Sequence, residues 1–184
     1  TLALEYDTEA LKRLKLGEAH LDFVRGDAQK LPIRDEAVDV VICAQVYEHV
    51  ADSSLLFAEI WRVLAPGGVC FFSGPNRLYP VELHYHLPFV HWLPWPWTRA
   101  CLHILGRRNE ERIRSMTLWG LRRRLAAFEI SDYTAAMLRD PARYACVEEM
   151  GRLRWMSRLP LGVLRGILPL VPNFNWVLRK TRGA

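Results

Sequence analysis

The sequence predicts an α/β fold built on a doubly wound, mostly parallel sheet. Three observations carry that prediction. The run from Ala37 to Cys43, AVDVVIC, is almost continuously apolar, as in parallel strands covered on both faces. Leu56, Phe57, Ile60, Trp61 and Leu64 then recur at helical spacing. A second apolar run, Val69 to Ser73, follows the helix stop at Pro66, Gly67 and Gly68. Strand, helix, strand in that order is a crossover unit of a parallel sheet. The 184 residues suffice for one domain with a substantial core, and residues 1–184 read as a single unit.

The remaining elements follow in order. Thr1 to Glu5 reads as a strand entered mid-length, so the sequence is expected to be incomplete at its start. Asp7 or Thr8 caps a short helix carrying Leu11 and Leu14, which Gly17 stops. His20 to Arg25 is a second strand, with Gly26, Asp27 and Ala28 as its exit. Asp52 or Ser53 begins the helix that holds Leu56. Residues 77–115 break this texture and form an insertion or lid. Its first part holds Pro80, Pro88, Pro94 and Pro96, His84, His86 and His91, and Trp92, Trp95 and Trp97, and reads as irregular. Helical texture returns in 101–127, with Leu118, Leu121 and Leu125 on one face. Phe128 to Thr134 is a strand. Residues 141–171 form a basic amphipathic helical segment broken by Pro160 and Pro169. Phe174 to Leu178 is the last strand.

Charge is unevenly spread. Residues 1–100 hold 9 basic and 13 acidic side chains, whereas 101–184 hold 16 basic and 7 acidic. The arginines of the basic half are dispersed, with no stacking platform or recognition helix, so no nucleic-acid partner is expected. Cys43, Cys70, Cys101 and Cys146 lack metal-binding or redox spacing. A reducing, cytoplasmic setting fits them. No run of 18 apolar residues is present to span a bilayer.

Three polar clusters stand at the ends of predicted strands, where open parallel sheets bind ligands. Glu5 ends the first strand, and a carboxylate there can accept both ribose hydroxyls of a nucleoside. Asp27 follows a glycine at the end of the second; it can accept from an adenine amine while the Ala28 amide donates to a ring nitrogen. The alternative for Asp27 is an Asx turn. Gln45, Val46, Tyr47, Glu48 and His49 leave the third strand. His49 has an intrinsic pKa suited to general-base work.

Together these stretches resemble the class I S-adenosylmethionine-dependent methyltransferases of the small-molecule, type 11-like branch. The resemblance is carried by LALEYDTEAL, DFVRGDAQKLP, AVDVVICAQVYEHV and EIWRVLAPGGVCFFSGPN over residues 1–76, and more weakly by 116–134 and 172–180. It implies a Rossmann-like sheet with an antiparallel last strand, and S-adenosylmethionine as cofactor. It also implies that the family's first strand and glycine-rich loop would lie before Thr1. Carried over by residue, Glu5 and Tyr6 meet the ribose and adenine, Asp27 and Ala28 read the adenine edge, and Ala44 and Gln45 line the methionine end.

The resemblance further implies methyl transfer to a small acceptor, apolar or lipid-linked and most simply at oxygen, with His49 orienting it or taking its proton. Asn76, His84, His86 and Trp92 are the expected acceptor-side residues. The alternative is a non-catalytic methyltransferase-like module that binds a partner or a membrane surface. A peripheral membrane contact is a further expectation, from the tryptophans of the lid and from Arg152, Arg154, Arg158 and Arg165 beside Trp155, Leu159, Leu161 and Leu164. Glu48 and His49 resemble part of a metal-binding arrangement found in some family members, which His84 and His86 could complete. Gln45 stands where that arrangement has a carboxylate, so the reading assigns no metal.

Overall fold

The computed structural model describes residues 2–5, 22–107, 112–148 and 150–181. The helix expected after Asp7, together with Tyr6, lies outside the described residues. Strand β1 (Leu2–Glu5) pairs in parallel with β2 (Asp22–Arg25), with Glu5 opposite Arg25. Strand β3 (Val38–Ala44) leads through helix α1 (Ser53–Val63) to β4 (Leu64–Pro75). There follow β5 (Val81–Glu82), β6 (Leu87–Pro88), α2 (Trp95–Ile104) and α3 (Leu118–Arg124). The chain then forms β7 (Glu129–Asp132), α4 (Thr134–Arg139), α5 (Leu161–Gly166) and β8 (Asn173–Arg179). The main sheet has the order β3-β4-β8-β7; β3 and β4 are parallel, and β8 runs antiparallel to both of its neighbours.

Helix α1 forms where sequence and capping agree. Asp52 accepts from the Ser54 amide at 2.8 Å, satisfying a donor that the first turn leaves without a helical partner. Its apolar stripe of Leu56, Phe57 and Ile60 packs on one face of the sheet, which presents Cys43, Cys70, Phe72, Phe174, Trp176 and Leu178. Leu118, Leu121 and Leu125 cover the same face. Each such side chain contributes roughly 1.5–3 kcal/mol of burial, so this layer dominates the stability of the fold. Arg62, in the last turn of α1, binds Glu59 and Asp35 and the carbonyls of Leu31 and Ile33. It thereby fastens the loop between β2 and β3 to the helix.

Four expectations need correction. Strand β3 is not covered on both faces: Val40 is 61% and Ile42 74% exposed. Among the described residues its only strand partner is β4, and β1–β2 forms a separate pair rather than continuing the sheet. The 77–100 stretch is not irregular throughout. It holds the β5–β6 hairpin and the start of α2, where Pro94 and Pro96 fall before and within the first turn, the one part of a helix that tolerates proline. Helix α3 ends at Arg124, and α2 accounts for the earlier helical texture. Among its described residues the 141–171 segment is mostly turns and 3-10 helix, with only α5 as α-helix. Its Met150, Met156, Leu164 and Leu168 bury against Ala135 and Val171 in a second, smaller core.

Candidate active site

The strand ends gather the predicted clusters unevenly. At β1 and β2 the Gly26 amide donates to the Glu5 carbonyl at 3.1 Å, which ties the two exits together. A Cβ at Gly26 would lie 2.8 Å from Leu4 Cδ1 and 3.1 Å from Pro32 Cδ, so glycine lets these side chains pack closely against the exit of β2. Asp27 is exposed, and its Oδ1 accepts from the Gln29 amide at 2.8 Å. The Asx turn is therefore present, and it leaves the carboxylate facing solvent. Ala28 packs on the main core. Gln29 Oε1 accepts from the Asp52 amide at 2.8 Å, which couples this turn to the cap of α1.

At the end of β3, Ala44 and Gln45 are exposed. Gln45 adopts a left-handed backbone (φ 55°), and its amide donates to the Ser73 carbonyl at 2.9 Å. A non-glycine residue in that region carries strain, and such positions cluster at sites that bind ligands. This sharp turn drives Tyr47 inward, between Phe57 and Phe72. The Tyr47 hydroxyl donates to the Pro75 carbonyl and accepts from the Met116 amide at 3.0 Å. Burial raises the Tyr47 phenol well above its ordinary pKa, so it stays a hydroxyl.

Glu48 is the unusual member. It is 0% exposed, and neither carboxylate oxygen has a hydrogen-bond partner. Burial pushes its pKa up to about 7; the nearby backbone amide of Glu48 itself and His49 oppose the rise, and the Glu82 carboxylate adds to it. His49 Nε2 and His84 Nε2 each lie 3.8 Å from Glu48 Oε1, and the two imidazoles meet edge to face. His84 Nδ1 is 2.9 Å from Glu82 Oε1, and the buried Glu82 also accepts from the Tyr85 amide. The lid is thus joined to the loop after β3 through ionisable groups.

Between lid and loop lies a cavity of about 340 Å³, walled in part by Tyr47, Arg77, Tyr85, Trp95, Arg114 and Met116. Arg112, Arg124 and Asp52 also reach it. The structure gives two of the expected acceptor residues other work. Asn76 is buried; its amide donates to the carbonyls of Pro169 (2.7 Å) and Val171 (2.9 Å) and its oxygen accepts from the Leu78 amide, so it clamps the chain before β8. Trp92 donates to the Arg77 carbonyl and packs on Phe89 outside the cavity wall. His86 stands exposed in the turn of the β5–β6 hairpin, whereas Glu82 and His84 meet. The arginines of the cavity escaped sequence reading because no local spacing distinguishes them from a solvated basic surface.

A parallel crossover with binding groups at its carboxyl ends, and an antiparallel strand beside β4, define the Rossmann-like methyltransferase fold. A solved S-adenosylmethionine-dependent methyltransferase from Methanosarcina mazei shares it, with a TM-score of 0.62 at 14% identity over 99% of this chain and 82% of that one. Residues 1–72 match the methyltransferase domain family. In sequence the likeness to methyltransferases lies in this first part of the chain, which holds the ends of β1, β2 and β3. A Mycolicibacterium smegmatis protein described as a probable S-adenosylmethionine-dependent methyltransferase is 38% identical over 77 residues, 42% of this chain and 30% of that protein. A phthiotriol/phenolphthiotriol dimycocerosates methyltransferase from Mycobacterium ulcerans is 45% identical over 53 residues, 29% of this chain and 20% of that protein. The matched stretches thus span less than a third of these relatives. No helix among the described residues is long and apolar enough to cross a membrane.

Proposed function

We propose that this protein moves a methyl group from S-adenosylmethionine to the oxygen of a small apolar or lipid-linked acceptor. The observation that carries the reading is the cavity between lid and loop, which adjoins the β3 exit and mixes aromatic with cationic groups. When bound, S-adenosylmethionine supplies a methyl group on an activated sulfonium, so positioning dominates the chemistry. The chain's own groups fit that cofactor. Two carboxylates, Glu5 and Asp27, sit at adjacent strand ends for the nucleoside, and Gly26 lets side chains pack closely there. The Ala28 amide completes the adenine contact, and Ala44 and Gln45 serve the methionine end.

His49 orients the acceptor hydroxyl and takes its proton. It is partly exposed, and its loop carries Tyr47 and Val50 on the cavity wall. The Mycobacterium ulcerans relative, by its name, supports a lipid-related acceptor. Phe89, Trp92, Trp97 and Ile104 stand exposed on the lid and α2, which favours contact with the membrane that would hold such an acceptor. The test supplies methyl-labelled S-adenosylmethionine and a lipid extract to the protein. Label entering hydroxylated apolar species, with turnover falling about 100-fold in His49→Ala, is the expected result. Label entering nucleic acid, or no transfer at all, would overturn the reading; full turnover in His49→Ala would remove His49 from it.

A further inference from the structure

Arginines scattered over a surface are solvated and point to no ligand, but here four of them meet at one concavity. Arg77 comes from the residues after β4, Arg112 and Arg114 from the segment before α3, and Arg124 from the last turn of α3; all four line the cavity between lid and loop. Among the described lining residues the one carboxylate is Asp52, and that group is already engaged. Its Oδ1 accepts from the Ser54 amide at 2.8 Å and lies 3.4 Å from Arg124 Nη1. No described side chain pairs with the guanidinium of Arg77 or Arg112. Asp52 and Ser53 bring the N-terminal end of α1 to the same wall, where the partial positive charge of a helix start also favours an anion.

The fold holds these groups in place through their backbones. The Arg77 amide donates to the Met116 carbonyl at 3.0 Å, and the Arg77 carbonyl accepts from His91 Nε2 at 2.9 Å and from Trp92 Nε1 at 2.6 Å. The Arg114 amide donates to the Glu48 carbonyl at 2.9 Å. Between Arg112 and Arg114, Ile113 packs on the lid core of Tyr85, Val90 and Leu102. The segment is thereby fastened to lid and loop alike, while the four arginines remain open to solvent. Tyr47, Tyr85, Trp95 and Met116 supply the apolar part of the same wall. A ligand that matches it has an apolar body and a strongly anionic group.

We propose that Arg77, Arg112, Arg114 and Arg124 bind a phosphate group of the acceptor, which makes the acceptor a phosphorylated compound with an apolar body. A planar guanidinium gives two parallel hydrogen bonds to phosphate oxygens. A phosphate monoester carries about −1.5 to −2 charge near neutral pH, enough to engage several cations where a carboxylate would answer one. The cavity, at about 340 Å³, is of a size for such a group and the part of the molecule next to it. The proposal rests on the reading of this cavity as the acceptor site. A lipid headgroup and a soluble phosphate ester share the chemistry that these arginines recognise.

The experiment titrates hexyl phosphate into the full chain by calorimetry, with hexanol and S-adenosylhomocysteine as parallel ligands. Hexyl phosphate should bind, and hexanol about 100-fold more weakly or not at all. Arg77→Gln and Arg112→Gln should each weaken hexyl phosphate about 10-fold, and the double variant about 100-fold. Arg123→Gln, on the same helix as Arg124 but outside the cavity, should bind like the parent. S-adenosylhomocysteine should bind parent and variants alike, and far-UV circular dichroism with melting shows that each variant is folded. Sedimentation with phosphatidylcholine vesicles, with and without phosphatidic acid, separates the sources. Arginine-dependent capture by the phosphatidic acid vesicles assigns the phosphate to a lipid headgroup; hexyl phosphate binding without capture assigns it to a soluble ester. No hexyl phosphate binding by the parent, or equal binding by the double variant, would overturn the proposal and leave the methyl-transfer reading standing. Loss of S-adenosylhomocysteine in step with hexyl phosphate would also overturn it, by giving the arginines to the cofactor's carboxylate. Hexyl phosphate bound by a chain that binds no S-adenosylhomocysteine would keep the phosphate site and sink the methyl-transfer reading instead.

Discussion

Asp27 and Glu48 are both carboxylates placed just beyond an apolar strand, yet the fold treats them in opposite ways. Asp27 is exposed and satisfied within two residues by the Gln29 amide. Glu48 is buried and has no hydrogen-bond partner for either oxygen. The first is held cheaply by local geometry and keeps a face free for a ligand. The second is held by the rest of the molecule, through Tyr47 pinned beneath the sheet end and through the lid. One end of the cleft can therefore be altered with little harm to folding, while the other is part of what makes the lid and sheet a unit.

The largest test of that contrast removes the buried charge. Glu48→Gln should stabilise the fold above pH 7 by on the order of 3 kcal/mol. The sign follows from the raised pKa. Between about pH 4.5 and 7 the folded chain holds the Glu48 proton that the unfolded chain has released, so stability falls as pH rises through this window. Denaturant melts across it should show the fall in the parent and not in the variant. Equal slopes in the two would break the comparison.

Smaller effects should follow at the supports of the buried end. Gly74→Ala places a Cβ against the Tyr47 ring in a space already filled, for an expected loss of about 1–3 kcal/mol. Tyr47→Phe leaves the Pro75 carbonyl and the Met116 amide without their shared partner and should cost about 1–2 kcal/mol. Both are read by chemical denaturation, and both should loosen the cavity wall. At the exposed end, Asp27→Ala should change stability by no more than about 0.5–1 kcal/mol. A larger loss there would show that Asp27 is structural rather than available.

The contrast also explains what could be read from the sequence. The β3–α1–β4 unit was legible because apolar runs and helical spacing are local, and the capping role of Asp52 follows from its own neighbours. Asp27 was legible for the same reason, together with its alternative as a turn residue. The exposure of Val40 and Ile42 was not, because an apolar run predicts burial without saying which strands and helices supply it. Asn76 was expected on the acceptor side; its hydrogen bonds to Pro169 and Val171 reach over 90 residues along the sequence and could not be foreseen. Tyr47 bonds to Met116 across a similar gap. The pairing of Glu48 with His84 depends on how the lid folds back; His86, expected beside His84 on the acceptor side, is carried elsewhere by the hairpin turn.

The central claim is that the exits of β1, β2 and β3 hold S-adenosylmethionine. Its most direct test is calorimetric titration of S-adenosylhomocysteine into the protein and into Asp27→Ala, after melting has shown both to be folded. The account predicts binding by the parent and a loss of about 10–100-fold in the variant, the worth of a charged hydrogen bond to the adenine amine. Equal affinity in the two proteins, or no binding by the folded parent, would contradict it.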